Sequence, residues 1–106
     1  MESEFLSKMN KRIVNDFIDI IILERLKNGP MSGYDVIEFI HKKFSYLISA
    51  GTVYAALHSM ERDGLIEGYL NQKKRVYILT KKGEETLKAI LNLKTKILGL
   101  MLNVFI

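Results

Sequence analysis

The chain has 106 residues, 48% of them hydrophobic, which is one domain's worth of sequence with enough apolar material to bury a core. It contains no cysteine, so a disulfide framework, a thiolate zinc site, a thiol nucleophile and an iron–sulfur cluster are all excluded. The net charge of +4 is unevenly spread: residues 1–40 carry five Lys or Arg against seven Asp or Glu, and residues 41–106 carry eleven against five, so the positive field belongs to the second part.

Over residues 11–28 the apolar side chains Ile13, Phe17, Ile20 and Ile21 recur at helical spacing, and Gly29-Pro30 ends the run. This predicts a first helix, on which Ile18 and Ile22 lie off the stripe and require a second burying surface. In "MSGYD", Ser32 caps a second helix over residues 33–43, Asp35 completes a capping box, and Met31 is placed to staple against Val36. Val36, Ile37 and Ile40 supply its buried face, while His41, Lys42 and Lys43 stand at the end that favours cations.

Ser49 caps a third helix over about residues 50–63, with Gly64 as its left-handed stop. At 100° per residue Val53, Leu57 and Met60 share one face, and Gly51, Ala55, His58 and Arg62 the opposite one, flanked by Tyr54 and Ser59. "LIEGYL" and "RVYILT", separated by "NQKK", read as a β-hairpin with a polar tip. Thr80 caps a last helix from Lys81 to past Asn103. Its apolar residues form two adjoining stripes, Leu87, Leu91, Leu98, Met101, Phe105 and Ile90, Leu93, Ile97, Leu100, Val104, too wide for one neighbour to cover. Lys94 interrupts the first stripe and suits its rim.

The expected fold is therefore mainly α with a small β-hairpin, in the order α-α-α-β-β-α of a winged helix-turn-helix. A single domain is expected over residues 1–106, divided into the winged helix-turn-helix at about 11–80 and a dimerisation helix at about 81–106. With no secretory leader and no apolar run of the roughly 20 residues that span a bilayer, a cytoplasmic protein with no membrane partner is expected.

A helix that lies in a major groove about 12 Å wide needs small residues at closest approach, which Gly51 and Ala55 provide. His58, Ser59 and Arg62 then reach base edges or phosphates, and Tyr54 a phosphate oxygen. The plain alternative is that Gly51 and Ala55 keep the first turn compact. Lys73, Lys74 and Arg75 at the hairpin tip suit flanking phosphates or a narrow minor groove, although basic tips also protect edges. Lys42, Lys43, Lys81 and Lys82 extend the positive surface. His41 and His58 are the only histidines and neither stands beside a nucleophile or metal-ligand partner, so no enzyme activity, metal site or cofactor is expected.

"ILERLKNGPMSGYDVIEFI", "SAGTVYAALHSMERDGLIE" and "KKRVYILTKKGEETL" together resemble the PadR-like transcriptional regulators, over about residues 20–87. The shared pattern is a Gly-Pro before a Gly-Tyr helix, Ser-x-Gly-Thr-x-Tyr, Glu-x-x-Gly-Leu-Ile, and Tyr-x-Leu-Thr with a glycine three residues on. The resemblance implies a homodimeric repressor whose third helix and wing bind double-stranded operator DNA and whose C-terminal helix makes most of the dimer interface. By matching position Ser49, Gly51, Thr52 and Tyr54 are the recognition-helix contacts, and Lys73, Lys74 and Arg75 the wing. Ala55 replaces a proline common in the pattern.

Periodicity leads to the dimer separately, because the two stripes of the last helix with Ile18 and Ile22 leave a large apolar patch on a monomer. Such a dimer sets two recognition helices about 34 Å apart and predicts an inverted-repeat site. The competing reading is a winged-helix module for protein–protein interaction without DNA. In relatives the cleft between the two halves admits flat aromatic ligands. Here Phe5, Phe17, Leu93 and Ile97 are either simple core or a pocket for a small hydrophobic effector.

Overall fold

The computed structural model describes residues 1–105. The elements are α1 (Glu2–Asp16), α2 (Ile18–Leu26), β1 (Met31–Ser32), α3 (Gly33–Phe44), α4 (Ala50–Arg62), β2 (Ile66–Asn71), β3 (Lys74–Leu79) and α5 (Lys81–Leu102), closed by a 3-10 turn at Asn103–Phe105. The expected order of helices and hairpin is present, with an N-terminal helical extension and a third strand added to it.

The single helix expected over residues 11–28 is two helices. Phe17 leaves helical backbone at φ −114°, ψ 25°, and beside it the Asp19 carboxylate accepts the Ile20 N–H at 2.8 Å. A side chain that captures a main-chain donor inside the ladder kinks a helix. The second half turns inward, and Ile18 and Ile22 are 8% and 0% exposed. That corrects their expected place in a dimer interface: the surface that buries them is the core of their own chain, between α2 and the helices packed on it.

Helix α3 begins at a reciprocal capping box, in which Asp35 N–H donates to Ser32 Oγ at 3.1 Å and Asp35 Oδ2 accepts the Ser32 N–H at 2.9 Å. Helix α4 ends in a Schellman motif: Gly64, at φ 79°, donates to the Glu61 carbonyl, and Leu65 N–H donates back to the Met60 carbonyl, each at 3.0 Å. Strand β3 is the centre of a three-stranded antiparallel sheet of order β1-β3-β2, with Met31 opposite Tyr77 and Ile66 opposite Leu79. Val14, Ile22, Ile40, Val53, Leu57 and Ile66 are fully buried where the helices meet this sheet.

The start of α5 is locked to the α4–β2 corner. Thr80 Oγ1 accepts the Gly83 N–H at 3.0 Å and donates to the Gly64 carbonyl at 2.6 Å. Gly83 lies against the Leu65 carbonyl so tightly that a Cβ at this position would overlap the oxygen. Leu87 is 5% exposed and Ile90 packs on the core, but from Leu91 onward the helix leaves the body of the protein. Leu87, expected at a dimer interface, is thus a core residue as well.

The radius of gyration is 14.9 Å and the longest dimension 49 Å, against about 13 Å for a compact chain of this length. The accessible surface is 7759 Å², roughly 1,700 Å² above that of a compact monomer of the same size. Much of the surplus is apolar and comes from two places, the outer half of α5 and the first turns of α1, where Met1, Phe5 and Leu6 face solvent.

Candidate nucleic-acid interface

Helix α4 starts at Ser49, whose Oγ accepts the Thr52 N–H at 3.3 Å. Val53, Leu57 and Met60 face the core, and Ser49, Gly51, Tyr54, Ala55, His58 and Arg62 are exposed, with Thr52 and Ser59 half-buried at the edges. The outward face carries no acid between Ser49 and Arg62 except Glu61, which is turned towards the sheet. A Cβ at Gly51 would meet nothing closer than Ser49 Oγ at 3.5 Å, an ordinary contact. No packing inside the chain therefore requires a glycine there, although glycine costs a helix about 1 kcal/mol relative to alanine. The compact-turn explanation of Gly51 fails on this point.

Tyr54 has a fixed seat. A Cβ on Gly33 would stand 2.5 Å from the tyrosine Cε1 and 2.9 Å from its hydroxyl. The hydroxyl end of the ring thus lies against the bare backbone at the start of α3, with about half of the residue's surface open. The Gly-Tyr pair that opens α3 and the tyrosine of α4 form one contact across the helix-turn-helix. The sequence reading missed this link, and the joint presence of Gly33 and Tyr54 was the signal for it.

The wing turns on Gln72 and Lys73, since Asn71 pairs with Lys74. Both turn residues have positive φ, 51° and 69°, the backbone of the two-residue turn that matches strand twist. Lys73 stands at the tip with no ion pair among the described residues. Lys74 Nζ is 3.8 Å from Asp35 Oδ1, an exposed contact of little energy that leaves the head group available.

Arg75 differs from the expectation of a free wing cation. Its Nη2 donates to Glu61 Oε2 at 2.8 Å, and the same oxygen accepts the Gly68 N–H at 3.0 Å. The guanidinium lies on Gly68, where a Cβ would come within 2.8 Å of it, and Cζ is 5.6 Å from the Tyr77 ring centre. Glu61 is held below the usual carboxylate range, chiefly by the Gly68 N–H and then by Arg75, and Arg75 is raised in turn by Glu61. Asp35 is lowered as well, first by the Ser32 N–H, then by the Ser32 hydroxyl and Lys74. Arg75 is therefore a brace that sets the wing against the end of α4.

Of the auxiliary lysines, Lys42 pairs with Glu38 at 2.8 Å, Lys82 donates to the Asp63 carbonyl at 2.8 Å, and Lys81 is exposed with no ion pair among the described residues. No group of three metal-binding side chains exists among the described residues. None of the described helices is long and apolar enough to cross a membrane. Phe5, Phe17, Leu93 and Ile97 are all exposed within the protomer and share no pocket there; Phe5 lines an open hollow with Met1, Glu2 and Leu6.

The sequence profile of the transcriptional regulator PadR-like family matches residues 22–89. No curated protein sequence matches the chain. Among solved structures, a transcriptional regulator from Clostridium thermocellum is 25% identical, with 90% of this chain and 95% of that chain covered and a TM-score of 0.75. A PadR family transcription regulator from Clostridium difficile is 27% identical over 84% of this chain and 97% of that chain, with a TM-score of 0.71. Bacillus subtilis PadR in complex with operator DNA is 25% identical over 70% of this chain and 45% of that chain, with a TM-score of 0.61.

Proposed function

This chain belongs to the PadR-like family of transcriptional regulators, and from that premise we propose that it is a repressor that binds an inverted-repeat operator as a homodimer. Helix α4 enters the major groove with Gly51 and Ala55 at closest approach. His58, Ser59 and Arg62 read or position on one side, and Ser49, Thr52 and Tyr54 meet the backbone near the helix start. Lys73 and Lys74 at the wing reach flanking phosphates, and Arg75 fixes the angle of the wing.

The observation that carries this reading is Gly51: a glycine exposed in the first turn of a helix, with room for a side chain and no use for the space inside the protein. The structure of the Bacillus subtilis relative with operator DNA supports the choice of partner. Dimer formation is supported by the surplus surface and by the exposed Leu98, Leu100 and Met101 on the outer half of α5 and Val104 in the turn that follows it. Interfaces of obligate dimers bury at least about 1,000 Å² per partner, which the surplus accommodates.

The test is selection of bound duplexes from a random pool, followed by protomer counting on the selected site. Two-fold related half-sites about one turn apart, with two protomers bound, are expected. A pool that shows no enrichment at low salt would rule the reading out in favour of a protein-interaction module.

A further inference from the structure

Away from α4 and the wing, Arg25 and Lys43 share an aromatic ring and make no ion pair among the described residues. Arg25, near the end of α2, lays its guanidinium over Phe39 with Cζ 4.7 Å from the ring centre. Lys43, one turn further along α3, brings Nζ to 5.6 Å from the same ring and 6.0 Å from that of Phe44. The neighbouring acids are committed elsewhere: Glu24 to Lys27, Glu38 to Lys42, and Asp35 to the Ser32 N–H and Lys74. Arg25 Nε is buried without an acceptor among the described residues, an uncommon and costly state for a native donor. The terminal nitrogens are not sealed in the same way.

Beside this pair a cleft of about 250 Å³ opens between α2 and α3, with Ile20, Ile21 and Phe44 on its apolar side. Arg25 and Lys43 supply its cationic wall and Ile20, Ile21 and Phe44 its oily one, while Glu24, paired with Lys27, and Asn28 also line it. Water satisfies only the first, whereas a molecule with an acid at one end satisfies both. The size falls just below the roughly 300–1,000 Å³ of sites for drug-sized ligands, which favours a short chain or a single ring. The acids at the rim disfavour a second negative charge on the ligand.

We propose that the α2–α3 cleft binds a small organic monocarboxylate, whose acid group is taken by the Arg25 guanidinium with Lys43 alongside, and whose apolar body lies on Ile20, Ile21 and Phe44. The carboxylate supplies the charge-assisted partner that the guanidinium lacks within the chain. Phe39 and Lys43 stand roughly 80–120° round α3 from Gly33, the residue that seats Tyr54. The cleft is thus separate from the surface assigned to DNA, and either assignment can fail alone.

The test is an NMR titration of the full chain with hexanoate as probe and 1-hexanol as its neutral counterpart, reading the Arg25 Nε–Hε resonance and the amides of residues 20–28 and 39–44. Hexanoate is expected to shift these signals to saturation, and 1-hexanol to leave the Nε–Hε signal in place. Arg25→Gln is expected to weaken hexanoate binding about tenfold or more. Lys43→Gln, whose head group is at the surface and whose loss leaves the fold intact, is expected to weaken it several-fold. Shifts that rise linearly to about 20 mM without saturating, an equal response to 1-hexanol, or unchanged affinity in Lys43→Gln would each overturn the proposal. So would a response of the Arg25 signal to duplex DNA and not to hexanoate, which would give the two cations to phosphate.

Discussion

Helix α4 and helix α5 both begin at a hydroxyl that accepts a main-chain N–H three residues on, Ser49 from Thr52 and Thr80 from Gly83, and both carry a glycine in the first turn. Both bury apolar side chains against the same core, Val53, Leu57 and Met60 from one and Leu87 and Ile90 from the other. Their outward faces part company. Helix α4 shows small and polar groups, Gly51, Ala55, His58 and Arg62, whereas α5 beyond Leu91 shows Leu98, Leu100 and Met101. The inward stripes account for the fold. On the reading proposed above the outward faces select the partners, a narrow polar rod for a groove lined by phosphate and an oily rod for a second oily surface.

The harshest way to break this contrast is to make the outer face of α5 resemble that of α4. Leu98→Glu with Met101→Glu alters side chains that are 65% and 49% exposed in the protomer, so the winged helix keeps its fold. Each side chain met twice across a two-fold removes about 1.5–3 kcal/mol of burial. Dimer dissociation is then expected to become easier by roughly ten-thousandfold, and operator binding to fall with it. Sedimentation velocity reads the first and a gel-shift titration the second. A double variant that still sediments as a dimer would show that α5 is not the interface.

The two first-turn glycines sharpen the contrast, since they are expected to respond in opposite directions. Gly83→Ala forces a methyl into the Leu65 carbonyl, and overpacking against backbone costs about 1–3 kcal/mol or more. The melting temperature falls by roughly 4–8 °C per kcal/mol. Gly51→Ala has room, so the helix gains up to about 1 kcal/mol while specific DNA affinity drops as the methyl meets the groove floor. A Gly51→Ala protein that is both more stable and equally tight on its operator would leave the groove-facing stripe without support.

The same pairing of inner and outer faces explains which features were legible in the sequence. Caps, stops and stripes are local, and Ser32, Ser49, Gly64 and Thr80 stand where their neighbours require. The outward set of α4 followed from 100° steps alone. What the sequence left out are contacts made across chain separations with no periodic signature. The kink at Phe17 depends on Asp19 taking one donor, and it converts Ile18 and Ile22 from a surface patch into core. The two-residue β1 exists only because β3 offers an edge. Arg75 reads like its lysine neighbours in "QKKR", and only the meeting of β2, β3 and α4 at Gly68 hands it to Glu61.

That division within the wing yields a smaller effect. Lys73 holds a left-handed backbone at φ 69°, which costs a non-glycine residue about 1–2 kcal/mol. Lys73→Gly is expected to raise stability by a part of this and yet to lower affinity on every DNA sequence, with the salt slope reduced by about 0.9. Arg75→Gln is expected to leave that slope nearly unchanged and to lower specific affinity through a loosened wing. Equal slope losses in both variants would restore Arg75 as a phosphate contact and remove it as a brace.

The smallest effect lies in the acid range and separates the brace from the tip by pH. Glu61 and Asp35 are both held below the ordinary carboxylate range in the folded protein. The stability they lend is therefore complete above the unfolded values, near pH 4–4.5, and is lost as pH falls through their lowered folded values. Both sit near the surface, where solvent screens the gain, so a few degrees of melting temperature is the expected scale. Glu61→Gln keeps an acceptor for the Gly68 N–H and removes only the charge that faces Arg75. Its melting temperature is expected to trail the parent's at neutral pH and to converge with it only as pH falls through the lowered folded value of Glu61, where the parent loses the same charge. A gap that persists unchanged to lower pH would mean that Glu61 acts through packing, and that the wing is set by the strands and not by the ion pair.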